Sequence, residues 1–124
     1  MNRAELEGFI LENYNAESDF PWMKYPNYEV FRHSSNQKWF ALIMDVPKEK
    51  LGLQEADILE VVNVKCDTRL IGSLRCKPGF FSAYHMNKES WITVALDGSV
   101  PDVEIKLLLD ASYDATAPKT RKKL

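Results

Sequence analysis

The chain of 124 residues has no apolar run near the roughly 20 residues that a membrane-spanning helix requires. Its first residues lack the apolar stretch of a secretory signal peptide. It has only two cysteines, Cys66 and Cys76, which are too few for a disulfide framework, so we expect reduced thiols. These absences argue against a membrane protein or a disulfide-stapled secreted domain, and we expect a cytoplasmic protein without a membrane partner.

What the chain does contain is ordinary for a globular domain. Hydrophobic residues make up 45% and charged residues 27%, with three Trp, five Tyr and six Phe. Such a composition argues against disorder, and the length suits one domain with one buried core. We predict a single domain over residues 1–118 and a basic tail over residues 119–124.

The formal net charge of −2 conceals an asymmetry along the chain. Four of the 16 basic residues lie in the predicted tail: Lys119, Arg121, Lys122 and Lys123. The remaining 12 basic residues face 18 acidic ones, a net charge of −6. A basic tail on an acidic body is typical of an interaction segment, but a solvated chain end explains the same residues. Both interpretations stay open.

Three helices are predicted from capping and spacing signals. The first follows Asn2, whose side chain can accept a hydrogen bond from an early backbone N–H while Glu5 reaches back. The second follows Asp67, another capping residue, and the third follows Pro101, which suits a first helical turn. Apolar residues recur at helical spacing after each of these positions.

Five strands are predicted from runs of aromatic and branched residues. The runs are residues 28–33, 38–46, 58–66, 80–85 and 91–96. Residues 16–28 are expected to form a loop whose aromatic side chains cover the edge of the core, and His33 is expected to be an exposed turn residue. The predicted fold is α+β, a two-layer sandwich with helices on one face of a mainly antiparallel five-stranded sheet. The predicted order of elements is α-β-β-β-α-β-β-α.

Three blocks of the sequence carry a specific pattern: residues 63–67, residues 83–94 and residues 96–101. The most specific part is His85-Met86-Asn87-Lys88, followed shortly by Trp91. These blocks resemble the signature blocks of the MmcQ/YjbR family, and the resemblance spans almost the whole chain. It implies a CyaY-like fold and a DNA-binding label, which the family carries by likeness to a double-wing domain. It implies no catalytic residues and no cofactor.

The HMNK segment is interpreted as a wing-like loop that contacts DNA. Lys88 suits a phosphate, and Asn87 suits a phosphate or a base edge. A turn held by its own side chains explains the same residues. The candidate DNA-binding residues are Arg32, Lys38, Lys65, Arg75, Lys77, His85, Asn87, Lys88, Lys119, Arg121, Lys122 and Lys123. Because the body is acidic, any affinity is expected to be modest and salt-dependent.

Double-stranded DNA is therefore the expected partner of a monomer or weak dimer. The alternative is a protein-interaction or chaperone-like domain with no nucleic-acid ligand. That alternative predicts an exposed apolar patch, for which Phe20, Trp22 and Tyr25 are the candidates.

Enzymatic and metal-binding functions have less support in the residues. Cys66 and His85 can form a catalytic pair only if they meet in space, and a buried small apolar residue is the simpler interpretation of Cys66. The two cysteines lack the spacing of a structural zinc site. Several carboxylates resemble the acidic ridge of frataxins, but a solvated helix face explains them without a metal. They are Glu5, Glu7, Glu12, Glu17 and Asp19. We predict no enzyme activity, metal or cofactor.

Overall fold

Six antiparallel strands and three α-helices make up the part of the chain that the computed structural model describes, residues 1–118. The helices are α1 (Arg3–Asn13), α2 (Thr68–Leu74) and α3 (Asp102–Thr116). The strands are β1 (Ala16–Asp19), β2 (Glu29–His33), β3 (Trp39–Pro47), β4 (Ile58–Lys65), β5 (Phe80–Ser82) and β6 (Trp91–Ala95). They lie in the order β1-β2-β3-β4-β6-β5, and a 3-10 turn, Lys48–Leu51, follows β3. Within residues 1–118, none of the helices has the length and apolarity needed to cross a lipid bilayer.

The predicted helix signals are confirmed. Asn2 and Glu5 form the complete capping box of α1, and the Asp67 side chain accepts a hydrogen bond from the backbone N–H of Arg69 at the start of α2. Pro101 is the N-cap residue of α3. The α+β class and the antiparallel sheet are confirmed as well.

The predicted strand count is wrong, because β1 lies in the segment expected to be a loop. Three of its four residues, Ala-Glu-Ser-Asp, are exposed at the edge of the sheet, so its sequence shows no apolar alternation. The observed order is therefore α-β-β-β-β-α-β-β-α. The predicted fourth run, residues 80–85, also ends early, since residues 83–90 leave the sheet and form a loop.

All three helices pack on one face of the sheet, which we call the helix face. Leu6 of α1, Ile71 of α2 and Leu109 of α3 are buried in one cluster with alternate strand residues. These strand residues are Phe31, Ala41, Ile43, Val62, Val64, Ile92 and Val94. The period of two between them is that of a strand with one face in a core.

The opposite face, which we call the loop face, is also apolar. Its buried side chains are Tyr28, Val30, Leu42, Met44, Val46, Leu59, Val61 and Ala95. Aromatic and aliphatic side chains from the loops pack on this cluster. Because both faces of the central strands are buried, their sequences read as continuous apolar runs.

A β-bulge in β3 changes which face its residues occupy. Phe31 pairs with Ala41, but the next residue, Arg32, pairs with Trp39, so Phe40 is an extra residue. Phe40 and Ala41 therefore both belong to the helix-face cluster, and Trp39 packs on the loop face.

Polar side chains on the helix face form hydrogen bonds next to this bulge. The Ser112 hydroxyl donates to the Phe40 carbonyl at 2.6 Å and accepts from the Lys65 backbone N–H at 2.9 Å. His33 is buried, which corrects its prediction as an exposed turn residue, and its Nε2 lies 2.8 Å from the Thr116 hydroxyl oxygen. Burial lowers the pKa of His33. A hairpin residue that faces α3 is covered by that helix, and no local pattern in the sequence indicates this.

A buried carboxyl on the helix face lies beside Arg3. Glu29 is buried, and its Oε1 lies 3.6 Å from the Arg3 guanidinium without a hydrogen bond. Arg3 also contacts Glu7 at 3.2 Å and Glu60 at 3.3 Å, so its charge is divided among three carboxyls. Burial and the neighbouring Glu7 raise the pKa of Glu29 from 4.5 to about 7.

This raised pKa predicts a stability that falls as the pH rises. Between pH 4.5 and about 7 the folded chain holds a proton on Glu29 that the unfolded chain has released. Because buried His33, with its lowered pKa, contributes in the opposite direction, the test compares two proteins. Glu29→Gln should raise the melting temperature above that of the unsubstituted protein at pH 8 and change it little at pH 4. Thermal unfolding at pH 4, 6 and 8 measures this.

The exposed Glu12→Gln on α1 removes the same charge and serves as the control, with little expected change. Destabilisation of Glu29→Gln at pH 8 would show that Arg3 requires an ionised carboxylate at position 29, contrary to this expectation.

Candidate nucleic-acid interface

A cleft of about 380 Å³ lies on the loop face, between the loop of residues 20–28 and the loop of residues 83–90. We call it the aromatic cleft. Its lining comprises Trp22, Tyr25, Tyr28, Trp39, Leu42, Met44, His85, Met86 and Asn87. Leu42 and Met44 are buried residues of the central strand β3, so the cleft has a rigid apolar floor.

One wall of the aromatic cleft is a packed set of rings. The Trp22 ring lies edge-on to Trp39 at 5.6 Å and to Tyr28 at 6.1 Å, centroid to centroid. Tyr25 stacks on Tyr28 at 4.7 Å with an interplanar angle of 16°. Burial, followed by the effect of nearby Tyr84 and Asp45, raises the pKa of Tyr28 to about 12. The rings therefore hold one another in place and present neutral faces.

The opposite wall is held from beneath by a buried polar pair. The Thr93 hydroxyl donates to the Asn63 Oδ1 at 2.5 Å, and the Asn63 Nδ2 donates to the Tyr84 carbonyl at 2.8 Å. The Thr93 oxygen also accepts from the Tyr84 N–H at 2.9 Å. Asn63 and Thr93 are cross-strand partners with no exposed surface. The sheet thus fixes both backbone groups of the residue just before His85.

His85 stands at the entrance of the aromatic cleft in an unusual backbone conformation. Its φ of 64° is the left-handed region, which costs a residue other than glycine some free energy. Its ring lies 3.9 Å from the Tyr84 ring and 6.3 Å from the Tyr25 ring. The imidazole is therefore exposed between the two loops and faces the ring wall.

The next residues hold the turn with their own side chains. The Lys88 ammonium donates to the Ala83 carbonyl at 2.7 Å. The Asn87 Oδ1 accepts from the Glu89 backbone N–H at 2.8 Å. The interpretation of HMNK as a self-stabilised turn therefore has direct structural support, while Asn87 still lines the aromatic cleft.

Two further hollows lie beside the aromatic cleft, one on the loop face and one at the β5 edge of the sheet. The first, of about 480 Å³, shares Tyr25, Tyr28 and His85 with the cleft and adds Lys24 and Lys50. The second, of about 320 Å³, shares Lys50 with the first. It adds Arg75, Phe80, Phe81 and Lys88, among others. We call the three together the loop-face groove.

The charge of the loop-face groove differs from that of the domain around it. Its lining contains four cationic side chains: Lys24, Lys50, Arg75 and Lys88. Asp45 is the one acidic residue among the described residues that line it. The lining of the groove is therefore net positive, although the chain as a whole is acidic.

The predicted DNA-binding residues fall into several places. His85, Asn87, Arg75 and Lys88 meet along the loop-face groove. Lys65 lies at the end of β4 opposite Trp91, and Lys38 is exposed in the turn before β3. The remaining candidates, Lys119, Arg121, Lys122 and Lys123, lie outside the described residues.

Two predicted cations are already paired with carboxylates. Arg32 forms a two-pronged hydrogen bond to Asp19, at 2.8 and 2.7 Å. Lys77 pairs with Glu104 of α3. Neither Arg32 nor Lys77 lines the loop-face groove, and their charge is largely compensated.

The sequence analysis missed Lys24, Lys50 and the part that the ring wall plays in forming a cleft. The aromatic residues from Phe20 to Tyr28 were predicted only to cover the edge of the core. That they face the HMNK loop depends on the order of the strands in space. Lys50 lies within the 3-10 turn Lys48–Leu51 and had no local signal at all.

The structure separates Cys66 from His85. Cys66 is in the helix-face cluster, where burial raises the pKa of its thiol, while His85 lies on the loop face. Cys66 and Cys76 are both free thiols. Within residues 1–118, no group of three or more His, Cys, Asp or Glu side chains is arranged to hold a metal ion.

Sequence comparisons place residues 11–115 on the family model described as YjbR. The chain is 39% identical to the uncharacterized protein YyaQ of Bacillus subtilis, over 94% of this chain and 98% of that protein. It is 49% identical to the uncharacterized protein YjbR of Escherichia coli over 43 residues, which span 32% of this chain and 36% of that protein.

Solved structures with the same fold come from two bacteria. A crystal structure of a Pseudomonas syringae protein superposes with a TM-score of 0.91 at 46% identity, over 94% of this chain and all of that one. A Deinococcus radiodurans protein described as a DUF419 domain has a TM-score of 0.69 at 26% identity, covering 90% of this chain and 75% of that one.

We expect the buried Asn63–Thr93 pair to stabilise both the domain and the HMNK loop. Thr93→Val keeps the shape but leaves Asn63 Oδ1 and the Tyr84 N–H without a partner, so we expect a loss of about 1–3 kcal/mol in the free energy of unfolding. Urea unfolding measures this loss, and amide hydrogen exchange at residues 84–90 should become faster.

Thr68→Val is the matched control, because the exposed Thr68 hydroxyl donates to the Glu89 carbonyl of the same loop at 2.7 Å. Water replaces that contact, so its loss should be smaller. Equal effects of the two variants would contradict the role of the buried pair.

Proposed function

The chain belongs to the YjbR family, and we propose that it binds DNA with the loop-face groove. The observation that carries this proposal is the coincidence of cationic and aromatic side chains in three adjoining hollows of a domain whose net charge is negative. Phosphates attract the cations, and aromatic rings provide faces on which bases can stack.

The cations of the groove are available to a ligand to different degrees. Within residues 1–118, Lys24, Lys50 and Arg75 form no ion pair with a carboxylate. Lys88 keeps its charge, but one of its three N–H donors is used by the Ala83 carbonyl. A polyanion would therefore meet three uncompensated charges and a fourth that is partly committed.

The number of these cations limits the affinity. Each neutralised phosphate contributes roughly −0.7 to −0.9 to the slope of log affinity against log salt, so three or four contacts give a slope of about −2 to −4. The acidic remainder of the body repels DNA and confines it to the groove. We therefore expect modest affinity that is strongest near 50 mM salt and falls steeply above that.

A protein-interaction function is the second candidate, because one exposed apolar patch favours it. Phe20 is 52%, Met23 99% and Tyr25 46% exposed, and all three belong to the loop that forms the ring wall. Exposed apolar side chains clustered in this way are typical of a surface that a partner covers. A self-association that depends on Met23 in sedimentation experiments would favour this candidate.

The DNA-binding proposal predicts that the removal of a groove cation weakens binding. Fluorescence anisotropy at about 50 mM salt, with a labelled duplex that carries a single-stranded extension, provides the measurement. We expect Lys50→Ala and Arg75→Ala each to lower the affinity severalfold and to make the salt slope shallower by roughly 0.7 to 0.9.

Lys106→Ala is the charge-matched control, because Lys106 lies on the helix side, 4.9 Å above the Phe9 ring. Its loss changes the net charge equally but leaves the groove intact, so the affinity should stay near that of the unsubstituted protein. Equal weakening by all three variants would show non-specific attraction. The absence of any binding at 50 mM salt would overturn the proposal.

A further inference from the structure

We propose that the DNA in the loop-face groove is unpaired, with one base in the aromatic cleft and the adjoining phosphates on Lys24, Lys50 and Arg75. This inference rests on the proposed function and specifies its substrate class. The sequence resemblance implies duplex binding through wing-like loops, so the inference also departs from that expectation.

The depth of the aromatic cleft is the first reason. Its floor is formed by Leu42 and Met44, side chains of the central strand, and its walls are the two loops that rise above the sheet. A base within a duplex has both faces covered by its neighbours and its pairing edge occupied. Such a base reaches the floor only if it leaves the helix and loses its pairing and stacking, whereas an unpaired base is free to enter.

The chemistry of the lining is the second reason. The cleft offers four aromatic rings, and every base has a flat face that stacks on such rings. Apart from the hydroxyl and indole N–H groups of the rings, its polar side chains are those of His85 and Asn87. The Asn87 Oδ1 is used by the turn, but its amide N–H groups stay available to an acceptor on a base edge. A mostly apolar site with a few polar groups is typical of specific binding of a small planar ligand.

The position of the charges relative to the rings is the third reason. Lys24 and Lys50 line the hollow that shares Tyr25, Tyr28 and His85 with the cleft, and Arg75 lies one hollow further on. The order along the groove is therefore rings, then cations. In a single strand, a base inserted at the ring end leaves the backbone to continue over the cations. Proteins that bind single strands combine these same two features.

Paired binding assays separate this inference from the function on which it rests. The probes are a labelled 12-nucleotide oligothymidine, a blunt duplex of equal length and free thymidine monophosphate. We expect the oligonucleotide to bind at least about tenfold more tightly than the duplex and to quench the fluorescence of Trp22 and Trp39, which line the cleft. Free thymidine monophosphate should bind more weakly than the oligonucleotide, because it presents only one phosphate.

Tyr25→Ala tests the ring end of the groove. One base stacks on each such ring, so the loss of this exposed ring should weaken oligonucleotide binding about fivefold or more. Phe20→Ala is the matched control, because Phe20 is 52% exposed in the same loop but does not line the cleft. It should bind as the unsubstituted protein does.

Three outcomes would count against the inference. If the duplex binds as tightly as the single strand and Tyr25→Ala has no effect, DNA binding stands but the unpaired base does not. If free thymidine monophosphate binds as tightly as the oligonucleotide, the ligand is a free nucleotide, and neighbouring phosphates of a strand contribute nothing to binding. If none of the three probes binds, the proposed function fails together with the inference.

Discussion

The rest of the structure depends on one constraint, which is that both faces of the sheet are apolar and only one of them has helices to cover it. The loop face carries Val30, Leu42, Met44 and Val61, and burial of such side chains is worth about 1.5–3 kcal/mol each. Loops must therefore supply the cover. A loop that covers an apolar surface needs large rings, and those rings also form a wall that a ligand can reach.

Loops form a wall of fixed conformation only if the sheet or their own packing holds them in place. The HMNK loop is held by the Asn63–Thr93 pair, and the ring wall is held by the mutual packing of Trp22, Tyr28 and Trp39. On the helix face, Ser112 joins the backbone of Phe40 to that of Lys65, just beyond the last β3–β4 pair, Ala41 with Val64. The bulge matters for the groove because it places Trp39 on the loop face.

The sequence predicted those parts of the fold that local chemistry decides. Capping at Asn2 and Asp67, helical spacing after Pro101 and the apolar strand runs gave three helices and five of six strands. The edge strand β1 was missed because its residues are polar, and its pairing with β2 through the backbone and through Asp19 and Arg32 leaves no local pattern. His85 and Asn87 could be nominated from their motif, but Lys24 and Lys50 could not, since the strand order brings them to the groove. Arg32 and Lys77 had the right charge, but their charges are compensated by Asp19 and Glu104, respectively. These partners are distant in sequence, so no local pattern could indicate the pairing.

The central claim is that ligand binds to the loop face and leaves the helix face untouched. A nuclear magnetic resonance titration of the ¹⁵N-labelled protein with a 12-nucleotide single strand tests it most directly. The account predicts that amide shifts change for residues 22–25, 27, 28, 50, 75 and 84–88, while those of α1 and α3 stay constant. Shift changes concentrated on α1 and α3, or spread evenly over the domain, would contradict it.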